Sequence, residues 1–146
     1  TYFTTPDPDI TITAPGNTSL PMTVTAYDVS NDSLYANASR GFTRDGGIKP
    51  DFAAPGVNLI GPAPNNRYLA MSGTSIAAAH NTGISALLLE WGITLGFFRQ
   101  MSTIEIKNFL IRGATREALT DYPNKAWGFG RINIYNSFLG LRGDLL

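Results

Sequence analysis

Ser72-Gly73-Thr74-Ser75-Ile76-Ala77-Ala78-Ala79-His80 sets a Gly-Thr-Ser turn directly against a run of small and apolar residues. From Ser75 to about Glu90 the length and apolar density of that run favour a helix, with Gly92 as its stop. The turn therefore puts a hydroxyl at a helix N-terminus. There the first N–H groups have no intrahelical partner and the macrodipole favours negative charge, so the Ser75 N–H can face a developing oxyanion. The commoner use of such a residue is plainer, because most serines and threonines before an apolar run are helix caps.

A serine hydroxyl is a poor nucleophile at neutral pH and needs a base to take its proton. His80 is the only histidine. Five residues along a helix rotate its side chain about 140° away from Ser75, so it does not reach the hydroxyl, and it reads as a buried, hydrogen-bonded structural residue. Any base therefore comes from outside these 146 residues. Two other nucleophile patterns fail on this stretch. Ala77 stands where Gly-x-Ser-x-Gly needs its second glycine, and Ala78 where Ser-x-x-Lys needs its lysine.

Outward from the turn, Ile10 to Ala14 and Met22 to Ala26 alternate apolar and polar residues around Pro15-Gly16-Asn17, which predicts two strands flanking a turn. Residues 28–47 lack periodicity and read as a long surface loop. Phe52-Ala53-Ala54, Val57 to Ile60 and Tyr68 to Met71 are short strand candidates. Ser102-Thr103-Ile104-Glu105 fits a capping box, with Ile106, Phe109 and Leu110 on one helical face and Gly113 at the end. A last short helix starts after Asn133 and stops near Gly140. Strands followed by a core helix and covering helices indicate an α/β fold.

Eleven basic and eleven acidic side chains cancel, so no nucleic acid or anionic membrane surface is expected as a partner. The apolar run at residues 76–91 is interrupted by polar side chains that a bilayer would not tolerate. With no cysteine there is no disulfide, thiolate metal site or cysteine nucleophile. Asp51 is a single carboxylate where a calcium-type site takes six to eight oxygens. It reads as a hydrogen-bonded turn residue rather than as the ligand of a structural cation, and no metal or cofactor is expected. No charged-then-apolar signal segment opens the chain. Residues 1–9 read as the end of an upstream loop or inserted segment.

Three segments together resemble the subtilisin-like serine proteases. Asp51 to Gly56 matches that family's Pro-Asp-x-x-Ala-Pro-Gly, and Gly73 to His80 its Gly-Thr-Ser-x-Ala-x-Pro-His. Trp127-Gly128-Phe129-Gly130-Arg131-Ile132-Asn133 resembles its terminal Gly-x-Gly-x-x-Asn turn. The resemblance implies a mostly parallel sheet with flanking helices, of which residues 10–146 are the C-terminal portion. It implies that Ser75 is the nucleophile, with Gly73 and Thr74 beside the oxyanion. Ala14-Pro15-Gly16 resembles the wall of the pocket for the side chain before the scissile bond.

The family's Asp, His and oxyanion Asn lie earlier in its chain, and none has a counterpart here. A protein or peptide substrate, the upstream part of the same protein as partner, and a secreted or cell-surface location follow from the resemblance. So does a chain that is inert alone. The alternative is a pseudoprotease or regulatory binding module that keeps the fold without activity. Ala79 replaces the family's usual Pro, Asn81-Thr82 replace more apolar residues, and Ile76 stands where many members carry an oxidisable Met.

Overall fold

Thr25, Ala26 and Tyr27 are consecutive buried residues, as are Phe52, Ala53 and Ala54, a pattern of strands covered on both faces. In the computed structural model, which describes residues 4–143, these form β1 (Val24–Asp28) and β3 (Phe52–Pro55), paired in parallel from Val24↔Phe52 to Tyr27↔Pro55. The short β2 (Ser33–Leu34) lies antiparallel to the end of β1. A parallel bridge from Ala53 to Arg131 extends the sheet on the β3 side.

The predicted strand at Ile10 to Ala14 does not form. Its alternation meets no sheet neighbour, and the loop at Arg40-Gly41 takes its hydrogen bonds instead: Ile10 N–H donates to the Gly41 carbonyl (3.3 Å) and Thr11 N–H to that of Arg40 (2.9 Å). Ile10 itself sits at φ 56°, outside any strand. The second predicted strand starts two residues late. Thr23 is committed to Asp51, its N–H to Oδ2 (2.8 Å) and its carbonyl to the Asp51 N–H (2.7 Å). Residues 28–47 are loop apart from β2, as expected, although Gly41 and Thr43 are buried.

β4 (Leu59–Ala63) and β5 (Arg67–Met71) form an antiparallel hairpin. At its tip Asn65 and Asn66 adopt φ of 62° and 54°, a conformation that asparagine tolerates better than most side chains. The chain then enters α1 (Thr74–Leu89). Gly92 does not stop this helix, which continues as a π-type turn through Glu90–Thr94. Gly92 is there for proximity, because a Cβ on it would lie 2.7 Å from Met101 Cε, and the reversal comes at Gly96 with φ 81°.

α1 packs on β1 and β3, but only Ala77, Asn81 and Leu88 are buried. The predicted core helix thus buries one stripe. Leu87 on its other side is half exposed, as are hairpin residues nearby, with Ile60 at 77%. Nothing among the described residues covers this face.

The capping box opens α2 (Thr103–Gly113) as predicted: Ile104 N–H donates to Ser102 Oγ (3.2 Å) and Ser102 N–H to Glu105 Oε2 (2.8 Å). Ile106 and Leu110 face the core beside the partly buried Phe109. α3 (Ile134–Gly143) crosses α2 in backbone contact, since a Cβ on Gly113 would meet the Ser137 N at 2.4 Å.

Ser102→Ala is expected to lower stability by about 1 kcal/mol, read from the urea midpoint. The Ser102 hydroxyl and backbone N–H hold Glu105 below the ordinary glutamate value. Its contribution is therefore present above the unfolded glutamate pKa and lost as pH falls through the lowered folded one. Ser102→Ala should flatten that acid limb.

Candidate active site

The segment Pro50 to Gly56 is the hub on which the other two motifs meet. On one side the Gly73 N–H donates to the Gly56 carbonyl (2.7 Å). A Cβ on Gly56 would lie 2.6 Å from Ala26 Cβ and 2.9 Å from the Gly73 carbonyl oxygen, so glycine lets the start of α1 rest on the sheet. On the other side Phe129 N–H donates to the Asp51 carbonyl (2.8 Å), Ala53 N–H to Gly130 (2.9 Å) and Ile132 N–H to Ala53 (2.8 Å). Gly128, at φ 58°, passes so close that a Cβ would sit 2.2 Å from the Pro50 carbonyl oxygen. Asn133 closes this third motif by capping α3, accepting the Asn136 N–H at 3.0 Å. Three stretches far apart in sequence are thus one structural unit.

The turn into α1 is built by Gly73, whose φ 154° and ψ 158° belong to a region essentially restricted to glycine. Its carbonyl accepts from Ile76 N–H (3.1 Å) and Ala77 N–H (3.3 Å). Gly73 is the N-cap and no side chain caps the helix, so the commoner reading of Ser75 as a cap is corrected. Ser75 stands exposed in the first turn and makes no side-chain hydrogen bond among the described residues. No acidic residue shares that turn to compete for the helix N-terminus. Gly56→Ala should destabilise the protein by roughly 1–3 kcal/mol through overpacking at this joint, and the shift in thermal midpoint checks it.

His80 is corrected too. It is exposed, with Nδ1 3.3 Å from the Ile76 carbonyl oxygen one turn back. Its ring borders an apolar groove of about 500 Å³ between α1 and the β4–β5 hairpin, lined by Ile60, Met71, Ile84 and Leu87 among others. The expectation of burial failed because no side chain among the described residues fills that groove.

Ala14, Pro15 and Gly16 line a separate cavity of about 250 Å³ together with Thr74, Thr23, Val24 and Pro50. The structure therefore brings the sequence-predicted pocket wall to the residue preceding Ser75. The wall is held from behind, since Thr23 Oγ1 donates to the Gly16 carbonyl (2.6 Å).

Asp51 is fully buried and its carboxylate is occupied by lysines. Lys49 Nζ lies 2.7 Å from Oδ2, and Lys107 Nζ pairs with Oδ1. Sequence reading missed both partners. The spacing of Lys49 and Asp51, two apart in extended chain and so on one side, was the available signal. Among the described residues no group of three or more acidic or histidine side chains could hold a metal.

The carboxylates held below their ordinary range are local surface groups: Asp28 by Ser30, Asp45 by the Thr43 hydroxyl and Glu105 by Ser102. None of these supplies a base for Ser75, because each is engaged in its own turn or cap. Among the described residues no helix is long and apolar enough to cross a membrane.

Comparison with known proteins agrees with this arrangement. The model of the subtilase family matches residues 6–130. The serine protease AprX of Bacillus subtilis (strain 168) is 35% identical over 150 residues, covering 89% of this chain and 32% of AprX. A C5a peptidase of Streptococcus pyogenes serotype M18 is 39% identical over 100 residues, 67% of this chain and 8% of that protein. Among solved structures, the CspB protease of Clostridium perfringens superposes with a TM-score of 0.92 at 33% identity, over 97% of this chain and 31% of CspB. The chain thus spans about a third of AprX and of CspB. With its three glycine-bearing segments joined at one hub and the family match running through nearly all of it, this chain belongs to the subtilase family.

Proposed function

We propose that this chain is the C-terminal part of a serine endopeptidase domain and carries its nucleophile. Residues 10–146 form that part, and residues 1–9 end an upstream loop or inserted segment. Ser75 Oγ attacks the carbonyl carbon of a peptide bond while its proton passes to a histidine of the upstream part, held in turn by an upstream aspartate. The oxyanion forms against the Ser75 N–H, with Gly73 and Thr74 shaping the turn and an upstream asparagine donating from the other side. Collapse breaks the peptide bond, the amine leaves with the proton, and water then hydrolyses the acyl-serine. The cavity walled by Ala14, Pro15 and Gly16 receives the side chain before the scissile bond.

The observation that carries this reading is the exposed, unbonded Ser75 hydroxyl in the first turn of α1, next to Thr74 of that cavity. The uncovered apolar face of α1 and the hairpin supports the second half of the proposal: it is the surface against which the upstream part packs. By resemblance to the subtilisin-like family, the full protein acts in the extracellular medium or on the cell surface, on protein or peptide substrates.

A fluorophosphonate probe applied to the full-length parent protein tests the reading. The expected adduct maps to Ser75. A folded parent without that adduct would establish the pseudoprotease instead. The isolated chain, lacking a base, is expected to label no better than its Ser75→Ala variant.

A further inference from the structure

The pocket wall at Ala14 to Gly16 is backed by a chain of hydrogen bonds that ends in a buried ammonium. Lys49 is 3% exposed and Asp51 fully buried. Lys49 Nζ donates to the Pro21 carbonyl at 2.6 Å and to Asp51 Oδ2 at 2.7 Å. The same Oδ2 accepts the Thr23 N–H at 2.8 Å, and the Thr23 hydroxyl in turn holds the Gly16 carbonyl at 2.6 Å. Lys107 from α2 neutralises the second carboxylate oxygen from outside. Thr23, Gly16 and Pro50, the residue between Lys49 and Asp51, all line the cavity.

Burying a charge is costly unless it is paired, and a hydrophobic pair of similar volume often serves stability equally well. This pair has a directional task that a hydrophobic one could not perform. The ammonium draws the Pro21 carbonyl and the carboxylate to one point, and so sets where residues 16–23 turn. We propose that Lys49 is a positioning residue for substrate selectivity, its ammonium a covalently tethered cation that fixes the pocket wall through Asp51 and Thr23.

The inference rests on the protease reading above, and the test separates the two. Full-length wild type and variants are labelled with a fluorophosphonate, then assayed on peptides differing only in the residue before the scissile bond. Lys49→Ala, which leaves a hollow, should lose discrimination between preferred and non-preferred peptides by roughly tenfold, mostly through KM. Added ammonium ion should restore it in Lys49→Ala and not in Lys49→Met, whose side chain fills the hollow. Thr23→Val, which cuts the link to Gly16 without removing any charge, should show the same loss, and Thr23→Ser should not. Lys125→Met, at an exposed pair with Asp9, is the control and changes nothing.

A wild type that does not label at Ser75 removes the protease reading and this inference with it. Labelling with discrimination within twofold of wild type in both Lys49→Ala and Thr23→Val overturns the inference alone. So does an equal fall for every peptide, or a loss that ammonium leaves untouched. If Lys49→Ala does not fold, the Thr23 pair decides.

Discussion

Replacing Ser75 by alanine in the full-length parent protein is expected to lower kcat for peptide hydrolysis by on the order of 10⁶, the loss known for the corresponding serine in subtilisin itself. Single-turnover hydrolysis of a chromogenic peptide measures it. The size follows from the geometry at the start of α1. Gly73 holds the turn, the serine hydroxyl is exposed and uncommitted, and the helix N-terminus is free of acidic competitors. On the proposed mechanism, removing Oγ deletes the atom that forms the acyl bond and leaves only transition-state binding by the remaining donors. Because Ser75 is exposed and caps nothing, the unfolding midpoint should stay at the wild-type value. Activity of Ser75→Ala within tenfold of wild type would exclude it as nucleophile.

Asp51→Asn should produce the largest loss of stability, about 3–5 kcal/mol, the usual effect of breaking one side of a buried ion pair. The carboxylate is fully buried between Lys49 and Lys107 and also accepts the Thr23 N–H. An amide of the same shape leaves the Lys49 ammonium inside the protein without a counter-charge, at the joint where the three motifs meet. A quarter of the Lys107 side chain is solvent-exposed, so it can turn outward and recover part of the cost. The exposed Lys125–Asp9 pair offers the contrast, because solvent and salt screen it and its loss should leave the urea midpoint unmoved. An Asp51→Asn midpoint equal to that of wild type would mean that the two lysines do not depend on this carboxylate.

The parts of the fold legible in sequence were those whose causes are local. The capping box at Ser102 and Glu105 was readable because four consecutive residues satisfy each other. β3 and β5 were readable as short apolar runs, and the end of α2 as a glycine. The strand expected at Ile10 to Ala14 failed because alternation states only that a segment could be half-buried, and the residues at 40–41 reached its N–H groups first. Gly92 misled for a related reason. A glycine stops a helix or permits a close approach, and here Met101 lies against it.

The site divides along the same line. Ser75 and its turn were legible because a Gly-Thr-Ser step into a small-residue helix is a local device, and the matching segments at 51–56 and 128–133 named the family. That Gly56 and Gly128 are the contact points binding those segments into one unit was not readable, since a Cβ clash depends on what lies across the gap. Neither was the exposure of His80, which follows from a groove left unfilled among the described residues.

Taken alone, the sequence determined the family, the Gly-Thr-Ser turn that holds the proposed nucleophile and the helix that presents it, because each is written in residues that are neighbours along the chain. Tertiary structure decided that the serine is free rather than a cap. It also decided that Ala14 to Gly16 share a cavity with Thr74, and that Asp51 is clamped by two lysines rather than open to a cation. Those outcomes depend on which groups arrive from distant segments to compete for each hydrogen bond and charge, a question of packing that residue order does not state.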